Sequence, residues 1–280
     1  MANTMSNRVR IMVECAVMIA LSTVLSMIKL IDLPYGGSVT IASMLPVIII
    51  SYRHGLGWGL GTGLVHAVIQ QLLGLSSLQW VSTWQSILAV VLLDYIIAFM
   101  VTGLGGIFRH VVKNQATALS LGTLFVCVLR YLCHVITGAT VWAGISIPTK
   151  AALIYSLGYN ATYMLPETII TVIVACYLGA TVDFRKTIPT RISADVVSVR
   201  SAMYSAIAGL VGVGVIAYDV AMIFSKLQNG ETGDFLITGL KDVNWMPVVL
   251  VTVIGIVVAA VLLVFGKNKK ASGYDIPPAK

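Results

Sequence analysis

Charged side chains are scarce in this chain of 280 residues. Asp, Glu, Lys and Arg make up 10% of it, whereas hydrophobic residues make up 58%, and the mean hydropathy is +0.94. A soluble domain carries about 25% charged residues. So little charge excludes an ordinary soluble protein and predicts an integral membrane protein that is surrounded by the lipid bilayer.

Several motifs of active chemistry are also missing. The chain has no GxxxxGK[ST] loop, so it offers no Walker A nucleotide site of its own. Its four cysteines form no CxxC pair and are read as small packing residues, and its four histidines form no HxxxH or HExxH pattern. Nothing pairs a nucleophile with a base. We therefore predict binding chemistry, with no catalytic residue, no metal and no cofactor.

Apolar runs of about 20 residues, the length that spans a bilayer, are abundant. The first follows Arg8 and Arg10 but is too long for a signal peptide and has no convincing cleavage site, so it is read as helix 1. The second is short and follows a Pro-Tyr-Gly-Gly turn at 34–37. The predicted spans are 11–31, 38–52, 56–74, 84–108, 116–137, 154–180, 199–225 and 246–266. They predict an all-α fold with a six-helix bundle and two additional C-terminal transmembrane helices.

Basic residues are distributed unevenly over the predicted loops. If the N-terminus is cytoplasmic and the helices alternate, the outer side holds only Lys29, Lys150, Lys226 and Lys241. Apart from Arg130, which lies within a span, the other Lys and Arg residues are then cytoplasmic. This bias predicts a multi-pass protein of the cell membrane with both termini in the cytoplasm. It also explains the net charge of +7 without a nucleic-acid partner.

A polar and basic stretch near 183–198 divides the chain. We predict a six-helix domain at 1–186, a cytoplasmic basic linker at 187–197, a two-helix transmembrane extension at 198–266 and a disordered cytoplasmic tail at 267–280. No internal repeat is visible that matches the first six spans. This argues against a secondary transporter built from repeated halves.

Ionisable residues inside the predicted spans each need an explanation, because the hydrocarbon core makes them costly. These residues are Glu14, Asp94, Arg130, His134, Glu167 and Asp219. Structural explanations are open for several of them. Arg130 can pair with Glu167 or Asp94, Glu14 can be interfacial, and Asp219 can pair locally within the extension.

Polar residues share faces of helices 5 and 6. Arg130, His134 and Thr137 lie at i, i+4 and i+7, on one side of helix 5. A second set lies at i, i+3 and i+7 on helix 6, where Pro166 bends or opens the helix. That set is Asn160, Tyr163 and Glu167.

This cluster predicts a pocket for a flat, polar and cationic molecule. A carboxylate would neutralise the charge of such a ligand, aromatic faces would stack on it, and hydrogen-bonding groups would select its ring edge. His134 can alternatively serve only as a bond between helices, and Trp245 fits an interfacial anchor. The candidate substrate-binding residues are Trp84, Asp94, Tyr95, His134, Trp142, Tyr155, Asn160, Tyr163 and Glu167.

Four stretches, taken together and in this order, resemble the thiamine-specific S-component of energy-coupling factor (ECF) transporters. They are LPYGGSVTIASMLPV at 33–47, LLDYIIAF at 92–99, RYLCHVITGATVWA at 130–143 and YSLGYNATYMLPE at 155–167. The resemblance covers roughly residues 8–186.

The resemblance implies the substrate-capture subunit of an ECF-type vitamin importer. Such a subunit binds thiamine from the outside and has no ATPase of its own. Its partners would be an ECF transmembrane coupling subunit and two ATP-binding subunits. By the same resemblance, the ligand contacts fall on Asp94, Tyr95, His134, Trp142, Tyr155 and Asn160.

Some positions depart from the family's pattern. Gly36 and Gly37 stand where some relatives have a Trp after helix 1, and Trp84 stands where some have Tyr. Some relatives also carry Glu at the position of Asp94. The last two helices have no counterpart in the six-helix pattern.

Helix 1 carries two small residues four positions apart, Ala16 and Ala20. The resemblance implies that such a small-xxx-small surface docks on the coupling subunit. Packing inside this subunit explains the same spacing equally well, because small residues favour close approach between membrane helices.

Other functions stay open at this point. One is an S-component for another flat vitamin or for a thiamine precursor such as the aminopyrimidine. Another is a stand-alone proton-coupled transporter that uses Asp94 or Glu167. An intramembrane enzyme that uses Asp94, His134 and Glu167 is disfavoured, since these residues lack a recognised catalytic spacing.

Overall fold

The computed structural model describes residues 2–33, 36–81, 83–141, 149–192, 199–227 and 237–266. Within these ranges the chain is almost entirely helical. The helices are α1 (Ala2–Met27), α2 (Leu45–His54), α3 (Leu56–Leu73), α4 (Trp84–Arg109), α5 (Gln115–Thr140), α6 (Lys150–Thr181), α7 (Val199–Leu227) and α8 (Trp245–Gly266). Two antiparallel pairs of strands join β1 (Lys29–Asp32) to β2 (Ser38–Thr40) and β3 (Val182–Asp183) to β4 (Thr190–Arg191).

Six of the described helices are long and apolar enough to cross a membrane. They are α1, α4, α5, α6, α7 and α8. The fold is therefore an all-α integral membrane protein, as predicted. The remaining two, α2 and α3, correspond to the predicted spans 38–52 and 56–74 and are not among these six.

Helix α2 has only 10 residues, and nine consecutive ones, from Leu45 to Arg53, are buried. Pro46 in its first turn fits a helix start, where the missing N–H would be unpaired anyway. Its core contacts include Leu119 and Val126 of α5 and Ala175 of α6. A helix too short to span the bilayer is tolerated here because protein covers it on every side.

The structure differs from the predicted spans between helices 1 and 2. The first span was predicted to end at 31 and the second to begin at 38, but α1 ends at Met27 and residues 38–40 form β2. Gly36, with φ of +98°, lies in the turn of this β1–β2 hairpin, a conformation that glycine adopts without a steric penalty. Apolar content alone does not distinguish such a hairpin from the end of a helix.

Helix α4 is not a regular α-helix. It begins as α-helix at Trp84–Val90, widens into a π-helix at Val91–Ile97, returns to α-helix at Ala98–Met100 and ends in 3₁₀ turns. Its start is fixed by Thr83, whose Oγ1 accepts a bond from the Ser86 backbone N–H at 3.2 Å. Short π-helical segments often mark functional sites, and this one contains Asp94 and Tyr95.

An ion-pair cluster joins the middle of α1 to the C-terminal ends of α2 and α6. Arg53 pairs with Glu14 of α1, and His54 Nε2 lies 3.0 Å from the Glu14 carboxylate. Arg53 Nη1 also donates to the carbonyl of Phe184 at 2.8 Å, beyond the end of α6. Glu14 thus serves the packing of these helices.

The extension packs on the bundle through glycines. Gly209 and Gly212 of α7 face Ile173 of α6, where a Cβ would lie 3.3 and 3.6 Å from the Ile173 side chain. Thr252 of α8 donates to Asp219 of α7 at 2.6 Å, which is the local pairing considered for Asp219. Of the predicted linker, residues 190–191 form β4, whereas residues 193–198 and the predicted tail at 267–280 lie outside the described residues.

Candidate functional site

A cavity of about 610 Å³ lies at the end of the bundle that carries the β1–β2 hairpin. Its wall combines the C-terminal ends of α1, α3 and α5 with the first turns of α6, the middle of α4, and the hairpin. Ligand pockets of proteins usually have volumes of about 300–1,000 Å³. This cavity therefore has room for a small organic molecule.

Asp94 and His134 form the polar centre of the cavity. Asp94 Oδ1 lies 2.9 Å from His134 Nδ1, and both side chains are nearly buried. Because a carboxylate accepts hydrogen bonds, Nδ1 carries the proton, and the bond fixes the orientation of the ring. Nε2 has no hydrogen-bond partner among the described residues. In the neutral ring it is an acceptor, available to a ligand that donates a hydrogen bond.

Tyr95 forms an aromatic wall beside this pair. Its hydroxyl lies 2.7 Å from Ser77 Oγ and donates to the carbonyl of Gly74 at 3.2 Å. Its ring stacks on Phe99, with centroids 6.3 Å apart. A Cβ at Gly74 would lie 2.6 Å from Tyr95 Cε1, so glycine is needed for this close approach. The ring face of Tyr95 is therefore held in a fixed place.

Asn160 is fully engaged by its neighbours. Its Nδ2 group donates to the Ser156 carbonyl at 2.8 Å and lies 3.3 Å from the His134 carbonyl, while its Oδ1 accepts from the Tyr163 hydroxyl at 2.6 Å. These bonds join α5 to α6 at the cavity wall. The amide orients the ring of Tyr163, which in turn meets His134 edge to face at 6.0 Å.

The α6 wall is aromatic along its length. The rings of Tyr155 and Tyr159 stack with centroids 6.3 Å apart and an angle of 4° between the planes. Tyr159 meets Tyr163 edge to face at 5.9 Å. Trp80, at the end of the 3₁₀ segment Leu75–Trp80, lines another part of the cavity. A flat ligand would find several rings to stack on.

A second ion pair lies at the floor. Arg130 of α5 lines the cavity, and its Nη1 lies 3.6 Å from Glu167 Oε2. The guanidinium also lies 4.2 Å from the centroid of the Phe99 ring. Glu167 accepts from Thr40 at 2.6 Å and is shielded from the cavity. Glu167 therefore balances the charge of Arg130 instead of facing the cavity.

The structure brings together six of the nine predicted ligand-binding residues. The cavity-lining ones are Asp94, Tyr95, His134, Tyr155, Asn160 and Tyr163. Glu167 lies behind Arg130, and Trp84 is 70% exposed at the start of α4, outside the cavity. Trp142 lies outside the described residues.

Five aromatic or basic lining residues were missing from the predicted site, namely Lys29, Trp80, Phe99, Arg130 and Tyr159. The predicted site contained Trp84 but not Trp80, because the 3₁₀ segment that places Trp80 at the cavity has no clear sequence pattern. Tyr159 could have been found, because it stands four residues after Tyr155 on the same helix. Arg130 was among the ionisable residues singled out within the spans, with pairing as its structural explanation, but it was not included in the predicted site.

Comparison with known proteins agrees with this geometry. The sequence model of the family described as Thiamine transporter protein (Thia_YuaJ) matches residues 12–186. This chain belongs to that family. A curated relative, the "Thiamine transporter ThiT" of Bacillus subtilis (strain 168), is 36% identical over 181 residues, which is 61% of this chain and 90% of the relative.

Membership in the thiamine transporter family decides between a transporter and an intramembrane enzyme, two of the functions considered from the sequence. The family and the relative are transporters, so the intramembrane enzyme is set aside. The family match contains all six cavity-lining residues predicted from the sequence and ends before α7 and α8. The extension is thus outside the part that the family shares.

The buried Arg130–Glu167 pair and the exposed Lys29–Asp32 pair should differ in how far loss of the negative charge lowers the stability of the protein. Glu167→Gln keeps the size of the side chain but leaves Arg130 without its counter-charge, and breaking one side of a buried pair costs about 3–5 kcal/mol. We expect a clear fall in the unfolding temperature of the detergent-purified protein. Asp32→Asn removes the charge from the exposed Lys29–Asp32 pair, where pairs contribute about 0.2–1 kcal/mol. Equal shifts for the two variants would contradict the structural role of Glu167.

Proposed function

We propose that this protein captures thiamine from outside the cell for uptake across the membrane. The observation that carries the proposal is the carboxylate of Asp94, which lies inside an aromatic cavity next to His134 at 2.9 Å. Thiamine has a cationic thiazolium ring and a flat aminopyrimidine ring. A carboxylate suits the positive charge of the thiazolium, and aromatic faces suit both flat rings. Few other vitamins combine these two properties.

The charges around the cavity support a cationic ligand. Lys29 pairs with Asp32 at 3.0 Å near the hairpin, and Arg130 is balanced by Glu167. Among these described groups Asp94 alone has no oppositely charged residue of fixed charge beside it, because the His134 ring is charged only if protonated. A cationic ligand favours the neutral ring, since a protonated His134 would repel it. The cavity then carries one net negative charge, which matches one thiazolium.

Hydrogen bonding supports the other half of thiamine. The exocyclic amine of the aminopyrimidine is a donor, and the neutral His134 ring offers Nε2 as an acceptor. Asn160 and Tyr163 hold the wall behind His134 and are proposed to position it. Tyr95 and Tyr155 are proposed to give the ligand its stacking surfaces. Contact of the ligand with Trp142 stays a prediction from the sequence.

The cavity fits capture from the outer side. It lies at the end of the bundle where α1, α3 and α5 finish and α6 begins, together with the β1–β2 hairpin. If both termini are cytoplasmic, as the basic residues predict, this end faces outwards. The proposed orientation therefore places the pocket where an external vitamin can enter it.

Ligand choice is tested by calorimetry on the purified chain. We expect saturable one-to-one binding of thiamine, because that molecule has both the charge and the flat rings that the cavity suits. The isolated aminopyrimidine lacks the thiazolium and should bind at least about tenfold more weakly. Riboflavin, a larger neutral ring system, is the control for another flat vitamin. Saturation with the aminopyrimidine or riboflavin, and none with thiamine, would overturn the assignment.

The role of charge is tested by Asp94→Asn. The amide oxygen can still accept from His134 Nδ1, so the substitution removes the charge and keeps the orientation of the ring. A charge-assisted contact contributes about 1.5–3 kcal/mol. We expect thiamine affinity to fall about tenfold to a hundredfold, and affinity for the neutral aminopyrimidine to change much less. Unchanged thiamine affinity in a folded variant would assign Asp94 to structure alone.

Uptake against a gradient needs energy that this chain has no Walker A motif to supply. We propose that it works with an ECF transmembrane coupling subunit and two ATP-binding subunits. The support is the face of α1, where Ala16 and Ala20 are both exposed among exposed apolar residues such as Val13 and Val17. Small residues on an exposed membrane face permit another helix to approach closely.

The docking proposal predicts a split between uptake and binding. Replacing Ala16 and Ala20 together by Leu adds bulk to the exposed face of α1, so ATP-dependent thiamine uptake should fall in cells with the full ECF system. Thiamine affinity of the purified chain should stay near wild type. The matched control replaces Ala221 and Ala260, exposed on α7 and α8, by Leu.

Three outcomes would redirect this proposal. A joint loss of uptake and affinity in the Ala16 and Ala20 variant would mean that these residues support the fold. Loss of uptake only in the Ala221 and Ala260 control would move the docking surface to the extension. Full uptake in vesicles that lack ECF subunits would instead support the stand-alone proton-coupled transporter.

A further inference from the structure

The two-helix extension meets the bundle directly behind the cavity wall. Ile216 of α7 packs against a buried cluster that contains Leu33 and Val39 of the β1–β2 hairpin together with Tyr163 and Met164 of α6. Gly209, Gly212 and Ile216 lie at i, i+3 and i+7, so they share one face of α7. Gly209 and Gly212 allow that face to approach Ile173 closely.

The same cluster contacts the cavity on its other side. Tyr163 lines the cavity, meets His134 edge to face at 6.0 Å and donates to Asn160 at 2.6 Å. A Cβ at Gly37 would lie 2.8 Å from Tyr163 Cδ1, so the hairpin rests directly on this ring. Ile216 therefore packs on a cluster that also forms part of the cavity wall.

A second contact joins the extension to the same wall. Ile237, in the 3₁₀ segment Ile237–Asp242 that precedes α8, covers Gly158 of α6. Its Cδ1 lies 2.7 Å from the place where a Cβ of Gly158 would stand. Gly158 sits between Tyr155 and Tyr159, which both line the cavity. The extension thus packs against α6 at two positions along the helix.

We propose that the extension braces the hairpin and the α6 wall in their packed arrangement, with Ile216 as a positioning residue that prolongs the stay of the bound ligand. This proposal rests on the proposed function, because the ligand is taken to be thiamine. The hairpin lines the cavity with residues 36–38, so in this proposal a bound ligand leaves when the hairpin separates from α6. Ile216 packs against the cluster to which both of them contribute, so its apolar contacts favour the packed arrangement over the separated one. The separated arrangement lacks these contacts, so their loss would raise its population and speed both the release and the entry of the ligand.

The test compares single substitutions in the full-length purified chain. Stopped-flow tryptophan fluorescence gives the rate constants of thiamine association and dissociation, with thermal unfolding measured alongside. Changes in such coupled contacts typically alter an equilibrium by about 0.5–2 kcal/mol, so Ile216→Ala should raise the dissociation rate constant about twofold to thirtyfold. Ile216→Val removes less of the side chain and should have a smaller effect.

Ile207→Ala is the matched control, because Ile207 lies on the same helix and is exposed. It should leave both rate constants at their wild-type values. If Ile216→Ala does not fold, Ile237→Ala tests the second contact and should raise the dissociation rate constant in the same direction. Wild-type dissociation from the folded Ile216 variant, or equal changes at positions 207 and 216, would overturn the proposal.

A second measurement does not depend on the ligand. The Leu33 N–H donates to the Gly37 carbonyl at 2.7 Å within the hairpin, so its hydrogen exchange reports whether the hairpin opens. In ligand-free protein, Ile216→Ala should speed exchange of hairpin amides and Ile207→Ala should not. Unchanged exchange would overturn the bracing. If wild type fails to bind thiamine but the hairpin exchange changes as expected, the proposed ligand is wrong and the bracing stands.

Discussion

The buried guanidinium of Arg130 constrains this structure more than any other single group. A positive charge inside a membrane protein must find its partners in protein. Here those partners come from different parts of the chain: Glu167 on α6, the ring of Phe99 on α4, and the sulfur of Met44 at 3.1 Å, just before α2. The contacts of this one side chain thus join α5 to α6, to α4 and to the start of α2. The place where these four elements meet forms the floor of the cavity.

Above that floor, polar side chains mostly hold one another. Asn160 is committed to α5 and to Tyr163, and the Tyr95 hydroxyl is committed to Ser77 and Gly74. Because these groups bond to one another, they present a fixed shape and ring faces to a ligand. Few of their polar atoms are left to bond with it. On the proposed function, selectivity depends on a small number of atoms around Asp94, where charge and hydrogen bonding meet.

Sequence periodicity predicted much of this arrangement because membrane helices impose simple rules. Polar residues at 130 and 134, and again at 160 and 163, revealed the facing sides of α5 and α6, since lipid does not tolerate them elsewhere. The same rule misplaced Glu167, because a shared helix face says nothing about depth along the axis. Apolar content does not distinguish the β1–β2 hairpin from the end of a helix, and the position of Trp80 at the cavity depends on contacts between distant segments, which a single sequence does not display.

The widened turn of α4 makes the cavity depend on residue number as well as residue type. In an ordinary α-helix two successive side chains diverge by about 100°, yet Asp94 and Tyr95 both face the cavity. The π-helical bonds from i to i+5 accommodate one more residue per turn and narrow that divergence. Deleting one residue from 91 to 93, just before Asp94, would restore the ordinary pitch and rotate the carboxylate away from His134. The loss of a single codon could therefore change the direction of the side chains on one wall of the pocket, although every cavity-lining residue would still be encoded.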